Sequence, residues 1–354
     1  MRVEATMMSP ETEQYAGSGE AGLSIEGIAD EARQLEAMGF DGATAPEAGH
    51  DPFLPLAIAA AHTRKISLGT NVAISFPRSP MATAQVAWDL QQLSKGRFTL
   101  GLGTQVKGHN ERRYSTPWTG PPGPRMREYV LCLQAIFRSF QHPKEPSFYE
   151  GEHYKFSLLP PLFNPGPIAT PHIPIYLAAV NPYMASLAGE LCDGLRVHPV
   201  STFAHNREVL LPAIEKGTAR ANRPLSDIDI VGCPFLAVGK NEAELEAARA
   251  DVRQRIAFYS STRTYHKVLD HHGWTDIGQE LHSLSLKGQW KEMPKLVSDD
   301  MLEEFAVVAI GEELPQKLRN RCLGLFTTVL LDGAPALFKD RDLLRMTIET
   351  LQQP

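Results

Sequence analysis

The feature that most limits the possible folds is a regular alternation of short apolar runs with segments whose apolar residues recur at helical spacing. The runs predict buried strands, and each is followed by a helical pattern. Eight such pairs in 354 residues predict an α/β fold, a closed (β/α)8 TIM barrel. The predicted strands cover residues 3–7, 40–45, 66–74, 98–102, 175–179, 193–198, 228–238 and 323–331.

A doubly wound parallel sheet is the competing architecture. Its dinucleotide-binding form needs a glycine-rich turn that leads directly into a helix. The only glycine-rich turn here, Gly101 to Thr104, is not followed at once by a helical pattern and lacks the third glycine. The barrel is therefore the favoured interpretation.

The chain is predicted to form one barrel domain, residues 1–354, with insertions after strands four and seven. Residues 141–172 combine a hairpin, with Gly151 between aromatic-rich arms, and a proline-rich connection. Residues 260–300 have an irregular pattern and are interpreted as a candidate lid. Helix starts are predicted at Ser24, Asp51-Pro52, Ser79-Pro80, Asn181-Pro182 and Asn241 with Glu244.

Composition excludes several classes of function. The net charge is −6, without long runs of one sign, which argues against partners such as nucleic acid or an anionic membrane surface. The four cysteines are far apart and form no metal-binding or disulfide pattern, so no metal site is expected. No apolar run reaches bilayer length, and residues 1–10 show no secretion signal, so we expect a cytoplasmic protein.

In a parallel barrel the loops after the strands meet at one mouth, and polar residues follow several of the predicted strands. These residues are Glu47, His50, Asn71, the stretch from Gly103, Thr104 and Gln105 through His109 and Arg113 to Trp118, then Ala179, Val180, Asn181 and His198. Gly101 and Gly103 permit close approach of a ligand or of another backbone.

Several of these side chains have groups that can transfer a proton or bind a small molecule. Glu47 and His109 are the leading candidates for proton transfer, although a structural role is about equally expected for each. Arg113 can hold an anionic cofactor tail or substrate, or can form part of a solvated pair. Trp118 can wall a substrate pocket or pin its loop to the barrel.

The chain resembles the bacterial luciferase-like monooxygenase superfamily, specifically its branch of oxidoreductases that use the deazaflavin coenzyme F420. The resemblance runs in order through most of residues 40–194. The matching pieces are Leu68 to Val72, Arg78 to Pro80, Ser94 to Thr104, Phe148 to Tyr154, Ile175 to Ala179 and Cys192 to Gly194.

The resemblance implies site residues that can be named in this chain. It implies a non-proline cis peptide at Asn71-Val72, forming a bulge that backs the isoalloxazine ring. It places Glu47 near the ring, with His50 close behind, although the adjacent Asp-His pair of the sugar-phosphate dehydrogenase branch is absent. It further implies that Val180 and the helix after Pro182 hold the cofactor phosphate, although proline removes one donor. Relatives are often dimers, so a homodimer is expected.

Three functions remain open at this stage. The first is an F420-dependent oxidoreductase that moves a hydride to or from a small organic substrate. The second is an FMN-dependent monooxygenase that uses oxygen and reduced flavin. The third is a non-catalytic flavin- or deazaflavin-binding or interaction protein, since a barrel does not determine function.

Overall fold

Eight short parallel strands follow one another around a ring in a computed structural model, which describes residues 1–7 and 25–354. The barrel strands are β1 (Arg2–Thr6), β2 (Gly42–Ala45), β3 (Ser67–Thr70), β4 (Phe98–Gly103), β5 (Ile175–Ala179), β6 (Gly194–Val197), β7 (Asp229–Gly232) and β8 (Thr328–Leu331). Each strand pairs in parallel with its sequence neighbours, and β8 pairs with β1. The ring is therefore closed, and the predicted TIM barrel is confirmed.

The helices pack around the outside of this ring or in the segments between strands. They are α1 (Ile28–Met38), α2 (Phe53–His62), α3 (Pro80–Leu93), α4 (Lys107–Arg112), α5 (Pro122–Gln141), α6 (Pro182–Leu191), α7 (Phe203–His205), α8 (Leu211–Arg220), α9 (Glu242–Ser260), α10 (His266–His271), α11 (Thr275–Leu286), α12 (Asp299–Phe305), α13 (Leu314–Cys322), α14 (Pro335–Lys339) and α15 (Arg341–Gln352). Each is too short or too polar to cross a lipid bilayer.

The predicted helix starts are mostly confirmed. Ser79 and Asn181 each accept a hydrogen bond from a first-turn amide, with proline at the first helical position. Asn241 accepts the Glu244 N–H at 3.0 Å as predicted, but the Glu244 carboxylate accepts the N–H of Lys240, one residue before the cap, so the predicted capping box is only half formed. Asp51 accepts the N–H of Phe53 at 2.8 Å, so it caps α2 from one residue further out than predicted. The predicted cap at Ser24 lies outside the described residues.

The prediction of one long seventh strand over residues 228–238 was wrong. The chain leaves the barrel after β7, and a separate strand, Phe235–Gly239, pairs in parallel with Ala306–Ile310 in a two-stranded sheet. The break falls at Cys233-Pro234, where proline has no backbone N–H to continue a ladder. Both halves are apolar and buried, so hydrophobicity alone did not separate them.

The interpretation of residues 260–300 as irregular was also wrong. This segment contains α10 and α11 and leads into α12. Together with the Phe235–Gly239 strand, these helices enclose a second apolar core that includes Phe235, Leu281 and Met301. The insertion is therefore a small packed layer against the barrel, and a lid function for it stays a prediction.

The insertion after β4 contains the predicted hairpin, in which Tyr149–Glu150 pairs with Lys155–Phe156. The Glu128 carboxylate on α5 accepts three backbone N–H groups of the hairpin loop, including that of His153 at 2.7 Å. The proline-rich connection is fastened to α3, since Trp88 donates to the Gly166 carbonyl at 3.0 Å. The insertion is thus tied to the outer helices.

Candidate active site

A cavity of about 230 Å³ opens at the carboxyl ends of the barrel strands. Its lining comes from loops that are distant in sequence but adjacent in the ring. The lining residues are Thr6, Pro46, Ala48, Asn71, Val72, Ala178, Arg196, Val197, His198, Pro199, Val231, Cys233, Tyr259, Leu330 and Asp332. Binding sites of barrel enzymes lie at this end of the fold.

One wall of the cavity is formed by Asn71 and Val72, directly after the end of β3. The Asn71-Val72 peptide bond is cis, as the resemblance implies. Val72 lies over β4, where a Cβ on Gly103 would stand only 2.6 Å from Val72 Cγ2. Gly103 therefore does not line the cavity itself, but its missing side chain leaves the space that Val72 occupies.

A buried ion pair lies inside the barrel beneath the cavity. Arg196 Nη1 on β6 donates to Glu4 Oε2 on β1 at 2.8 Å, and their side chains are 3% and 4% exposed. The guanidinium also lies 5.2 Å from the centre of the Tyr176 ring. A Cβ on Gly101 would clash with the Thr70 carbonyl oxygen and would lie 3.2 Å from Arg196 Nε, so this glycine first lets the end of β3 approach β4 and also leaves space beside the guanidinium. The floor of the cavity is thus polar and its two charges are paired, while Arg196 Nε and Nη2 are buried without a hydrogen-bond partner among the described residues.

Glu47 lies at the edge of the cavity in a polar network. Its buried carboxylate accepts from Arg78 Nη1 at 2.6 Å, from the Ile74 N–H at 2.7 Å and from the Tyr114 hydroxyl at 3.2 Å. Arg78 also pairs with Asp51 at 2.9 Å. Three partners on two segments, Ile74 and Arg78 after β3 and Tyr114 after β4, hold the loop after β2, and its residues Pro46 and Ala48 line the cavity.

The long loop after β4 was expected to supply most of the site, and the structure gives it a different position. His109 is exposed on α4, and Arg113 donates to the Ala48 carbonyl from an exposed position. Trp118 packs edge-on against Phe76, with ring centres 5.9 Å apart. These three side chains lie outside the cavity lining, so their proposed catalytic and substrate roles remain predictions.

Three more of the predicted site residues, Thr104, Gln105 and His50, are also absent from the cavity lining. The Thr104 carbonyl accepts from the buried Asn110 amide at 2.9 Å. Gln105 has a φ of 55° and its side chain accepts the Val106 N–H at 2.9 Å. His50 is half-buried in the loop after β2. The loop after β4 is thus organised largely by its own hydrogen bonds.

The end of β5 offers fewer phosphate donors than expected. The Asn181 side chain accepts the Met184 N–H at 3.0 Å, and Pro182 has no N–H. Ala179 is buried, and Val180 packs against the second core. The neighbouring Ala178 lines the cavity instead. Cofactor binding by Ala179, Val180 and Asn181 remains a prediction. Fewer N–H donors are available there for a phosphate than the resemblance implies.

His198, at the end of β6, is a predicted substrate residue that does line the cavity. Its Nδ1 accepts the Val200 N–H at 3.1 Å, and Tyr259 and Tyr265 pack against its ring. Although part of the side chain reaches the cavity, surrounding protein lowers the pKa of His198 to about 4. The imidazole is therefore neutral near pH 7.

Of the predicted residues, the structure brings Asn71, Val72 and His198 together in the cavity lining. Sequence reasoning missed Glu4, Arg196, Tyr259 and Asp332. For Glu4 and Arg196 a signal was available, because each places a charge directly between two apolar residues of a short strand. Tyr259 gave no comparable signal, since it lies in a helix that was expected on the outside.

Fold and site together define a (β/α)8-barrel protein with a small pocket at the carboxyl ends of its strands. The family model of the luciferase-like monooxygenases matches residues 5–325, and the chain belongs to this family.

Two curated relatives are similar to the chain over most of its length. An uncharacterized protein of Mycobacterium tuberculosis is 46% identical over 302 residues, 85% of this chain and 88% of the relative. The 5,10-methylenetetrahydromethanopterin reductase of Archaeoglobus fulgidus is 31% identical, over 79% of this chain and 80% of that protein.

Solved structures share the fold across nearly the whole chain. The coenzyme F420-dependent tetrahydromethanopterin reductase of Methanopyrus kandleri superposes with a TM-score of 0.71 at 20% identity, over 99% of this chain and 97% of that one. The oxygenating constituent of 3,6-diketocamphane monooxygenase of Pseudomonas putida, in complex with FMN, has a TM-score of 0.68 at 15% identity, over 100% of this chain and 99% of that one.

Proposed function

We propose that the protein is an F420-dependent oxidoreductase that transfers a hydride between the deazaflavin and a small organic substrate. The supporting observation is the pocket between the Asn71-Val72 backbone and His198, at the end of the barrel where cofactors bind. A Mycobacterium tuberculosis relative, 28% identical over 297 residues and named a putative coenzyme F420-dependent oxidoreductase, favours F420 over FMN.

The residues present fit a flat heterocyclic ring. Val72, Pro46, Pro199 and Leu330 supply apolar contact surface, while Asn71 and Thr6 supply polar atoms. Thr6 Oγ1 is buried without a hydrogen-bond partner among the described residues, so an acceptor or donor on a ligand would satisfy it. A bound deazaflavin would supply the two-electron chemistry.

The protein's own groups then have defined tasks. The Glu4–Arg196 pair forms a rigid floor, and the Glu47–Arg78 pair holds the loop that carries Pro46 and Ala48. Glu47, His50 and His109 remain our candidates for proton transfer. Because Glu47 is ion-paired with Arg78, its contacts suit orientation of the loop better than proton transfer.

The alternative is an FMN-dependent monooxygenase, supported by the family's name and by the FMN-containing structural neighbour. The two functions differ in their need for oxygen. Turnover with F420 proceeds without oxygen, whereas a monooxygenase stops when oxygen is removed.

The deciding experiment titrates the purified protein separately with F420 and with FMN, following cofactor absorbance. We expect the F420 dissociation constant to be at least about tenfold lower, a difference of about 1.4 kcal/mol. Tighter binding of FMN, together with turnover that requires oxygen, would replace the first function with the second. Failure of both cofactors to bind below about 1 mM would exclude both.

We further propose a homodimer through the outer faces of α2 and α3. Helix α2 contains no Asp, Glu, Lys or Arg, and Leu54 on its outer face is 57% exposed. On α3, Leu93 is 47% exposed. Sedimentation velocity of Leu54→Lys compared with the wild-type protein tests this surface, and we expect the variant to shift toward monomer.

A cytoplasmic location is also proposed. The four cysteines, Cys132, Cys192, Cys233 and Cys322, are buried free thiols. Burial raises the pKa of the Cys132 thiol to about 11, so it is held as an unreactive thiol at neutral pH. Such cysteines fit a reducing compartment.

A further inference from the structure

Two polar side chains of the cavity lining have donor atoms without a partner among the described residues. The Arg196 side chain is 3% exposed, and its Nε and Nη2 are buried without an acceptor, although Nη1 donates to Glu4 at 2.8 Å. Thr6 Oγ1 is also buried without a partner. Both residues line the cavity. Because buried polar groups in native proteins are nearly always hydrogen-bonded, these donors indicate a ligand that accepts from them.

The two unpaired nitrogens of Arg196 form one edge of the guanidinium, with parallel N–H bonds. This edge faces β3 and β4, since Cβ atoms built on Gly69 and Gly101 would lie 3.2 Å from Nη2 and 3.2 Å from Nε. Those Cβ atoms would first meet the Thr99 hydroxyl and the Thr70 carbonyl, yet neither oxygen accepts a hydrogen bond from Arg196. The edge is therefore held in place through Nη1 while its own donors stay unpaired.

Two parallel donors match a planar group with two adjacent acceptor atoms. A carboxylate is such a group, and Arg–carboxylate pairs are frequently bidentate. A ring nitrogen beside a ring carbonyl is another, as when arginine binds O6 and N7 of guanine. The pyrimidine edge of a flavin or deazaflavin, with N1 beside the C2 carbonyl, has this arrangement. A primary amide does not, because it places a donor beside its acceptor.

The charges of the lining are compatible with an anionic group at this edge. Glu4 holds one of the three guanidinium nitrogens and is not part of the lining. Asp332, the other charged lining residue, is only half-buried, so solvent screens its repulsion of an anion. Hydrogen bonds between charged groups are roughly twice as strong as those between neutral groups. Negative charge on the acceptor should therefore strengthen binding to Arg196.

We propose that Arg196 and Thr6 form a binding site for a planar group with two adjacent acceptor atoms and full or partial negative charge. Two sources have this chemistry, namely the pyrimidine edge of the bound cofactor and a carboxylate of the substrate. The choice between them rests on the proposed function, whereas the site itself does not.

The test uses two probes of nearly equal shape, benzoate with two adjacent acceptors and benzamide with one. Calorimetric titration near neutral pH measures both on the apo protein. Arg196→Lys keeps a cation beside Glu4 but loses the parallel donors, and Thr6→Val keeps the side-chain shape without the hydroxyl. Arg138→Lys, at an exposed position on α5, is the matched control. Circular dichroism verifies that each variant is folded.

We expect wild-type protein to bind benzoate at least about tenfold more tightly than benzamide. Arg196→Lys should lose about tenfold in benzoate affinity, and Thr6→Val about threefold, because the hydroxyl contributes one uncharged donor. Glu4→Gln removes the competing negative charge from Arg196 and should bind benzoate more tightly than wild-type protein. Arg138→Lys should bind both probes as wild-type protein does.

Saturating F420 distinguishes the two sources of the bound group. Loss of benzoate binding on the F420-loaded protein would assign the site to the cofactor edge. Benzoate binding that persists there and still depends on Arg196 would assign it to a carboxylate of the substrate.

Three results would overturn the site: benzamide bound as tightly as benzoate, no benzoate binding by wild-type protein, or unchanged benzoate affinity in folded Arg196→Lys. Should Arg196→Lys not fold, unchanged benzoate affinity in Thr6→Val has the same meaning. The proposed function is tested separately by the F420 and FMN titrations. If neither cofactor binds while benzoate binding still depends on Arg196, the site stands and the oxidoreductase function fails.

Discussion

Two sides of the pocket mouth are built differently. On one side, Glu47, Arg78 and Tyr114 form a polar network between the loops after β2, β3 and β4. On the other, His198 is enclosed by Tyr259 and Tyr265, with one backbone hydrogen bond to its Nδ1. The polar-rich side satisfies its groups internally, whereas the aromatic side leaves an N–H weakly bound.

This difference shows why an abundance of polar residues is a poor guide to where chemistry occurs. The loop from Thr104 to Trp118 is rich in donors, and much of that capacity serves to hold loops together. The aromatic side has fewer polar groups, but burial gives one of them an altered pKa. Groups with shifted pKa values in clefts are candidates for function.

The largest expected effect on stability comes from the Glu4–Arg196 ion pair, which lies beneath both sides of the mouth. Arg196→Met leaves the buried Glu4 carboxylate unpaired and should destabilise the protein by about 3–5 kcal/mol in urea unfolding. The double variant Glu4→Leu/Arg196→Met removes both charges and should recover much of this loss. Equal destabilisation by the single and double variants would show that the pairing of charges is not what matters.

Low pH should destabilise the fold through His198, on the aromatic side of the pocket mouth. The folded-state pKa of His198, about 4, lies below the ordinary value of 6.5, so the neutral form stabilises the fold above pH 6.5. That stability, at most about 3 kcal/mol, should be lost as pH falls from 6.5 towards 4.

The free energy of unfolding, measured with urea across this pH range, should therefore fall less steeply for His198→Gln than for wild-type protein. His205, whose pKa burial also lowers to about 4, adds a similar loss in both proteins. Its variant His205→Gln serves as the matched comparison. Parallel curves for His198→Gln and wild-type protein would contradict the assigned pKa shift.

The polar network should have an intermediate effect. Arg78→Met removes the partner of both Glu47 and Asp51, and should cost about 2–3 kcal/mol because the Glu47 side chain is only 5% exposed. Cofactor binding should weaken as well, since Pro46 and Ala48 would lose their support. A variant with normal stability and normal cofactor affinity would mean that the network does not organise the mouth.

The smallest effect is expected at the exposed rim. Arg113→Ala removes a hydrogen bond to the Ala48 carbonyl that is open to solvent, and should cost about 0.5 kcal/mol or less. The F420 affinity of this variant should equal that of wild-type protein. A substantial loss of affinity would return Arg113 to the binding site that the sequence predicted.

The sequence predicted the barrel because its strands are apolar runs separated by helices with clear start signals. It failed at residues 228–238, where two buried strands of different sheets follow each other with only Cys233 and Pro234 between them. It also failed at residues 260–300, whose short helices are stabilised mainly by burial in the second core. Both failures come from contacts that sequence periodicity does not record.

The sequence by itself determined the closed barrel, the loops that form its mouth, and the family, because hydrophobic periodicity and local motifs are properties of neighbouring residues. Only the tertiary structure decided which polar groups are used in ion pairs and which face the pocket. His198 and Tyr265 are 67 residues apart, and their contact exists because the second core packs the insertion against the end of β6. Burial and hydrogen-bond satisfaction depend on the whole set of neighbours in space, which a linear pattern does not contain.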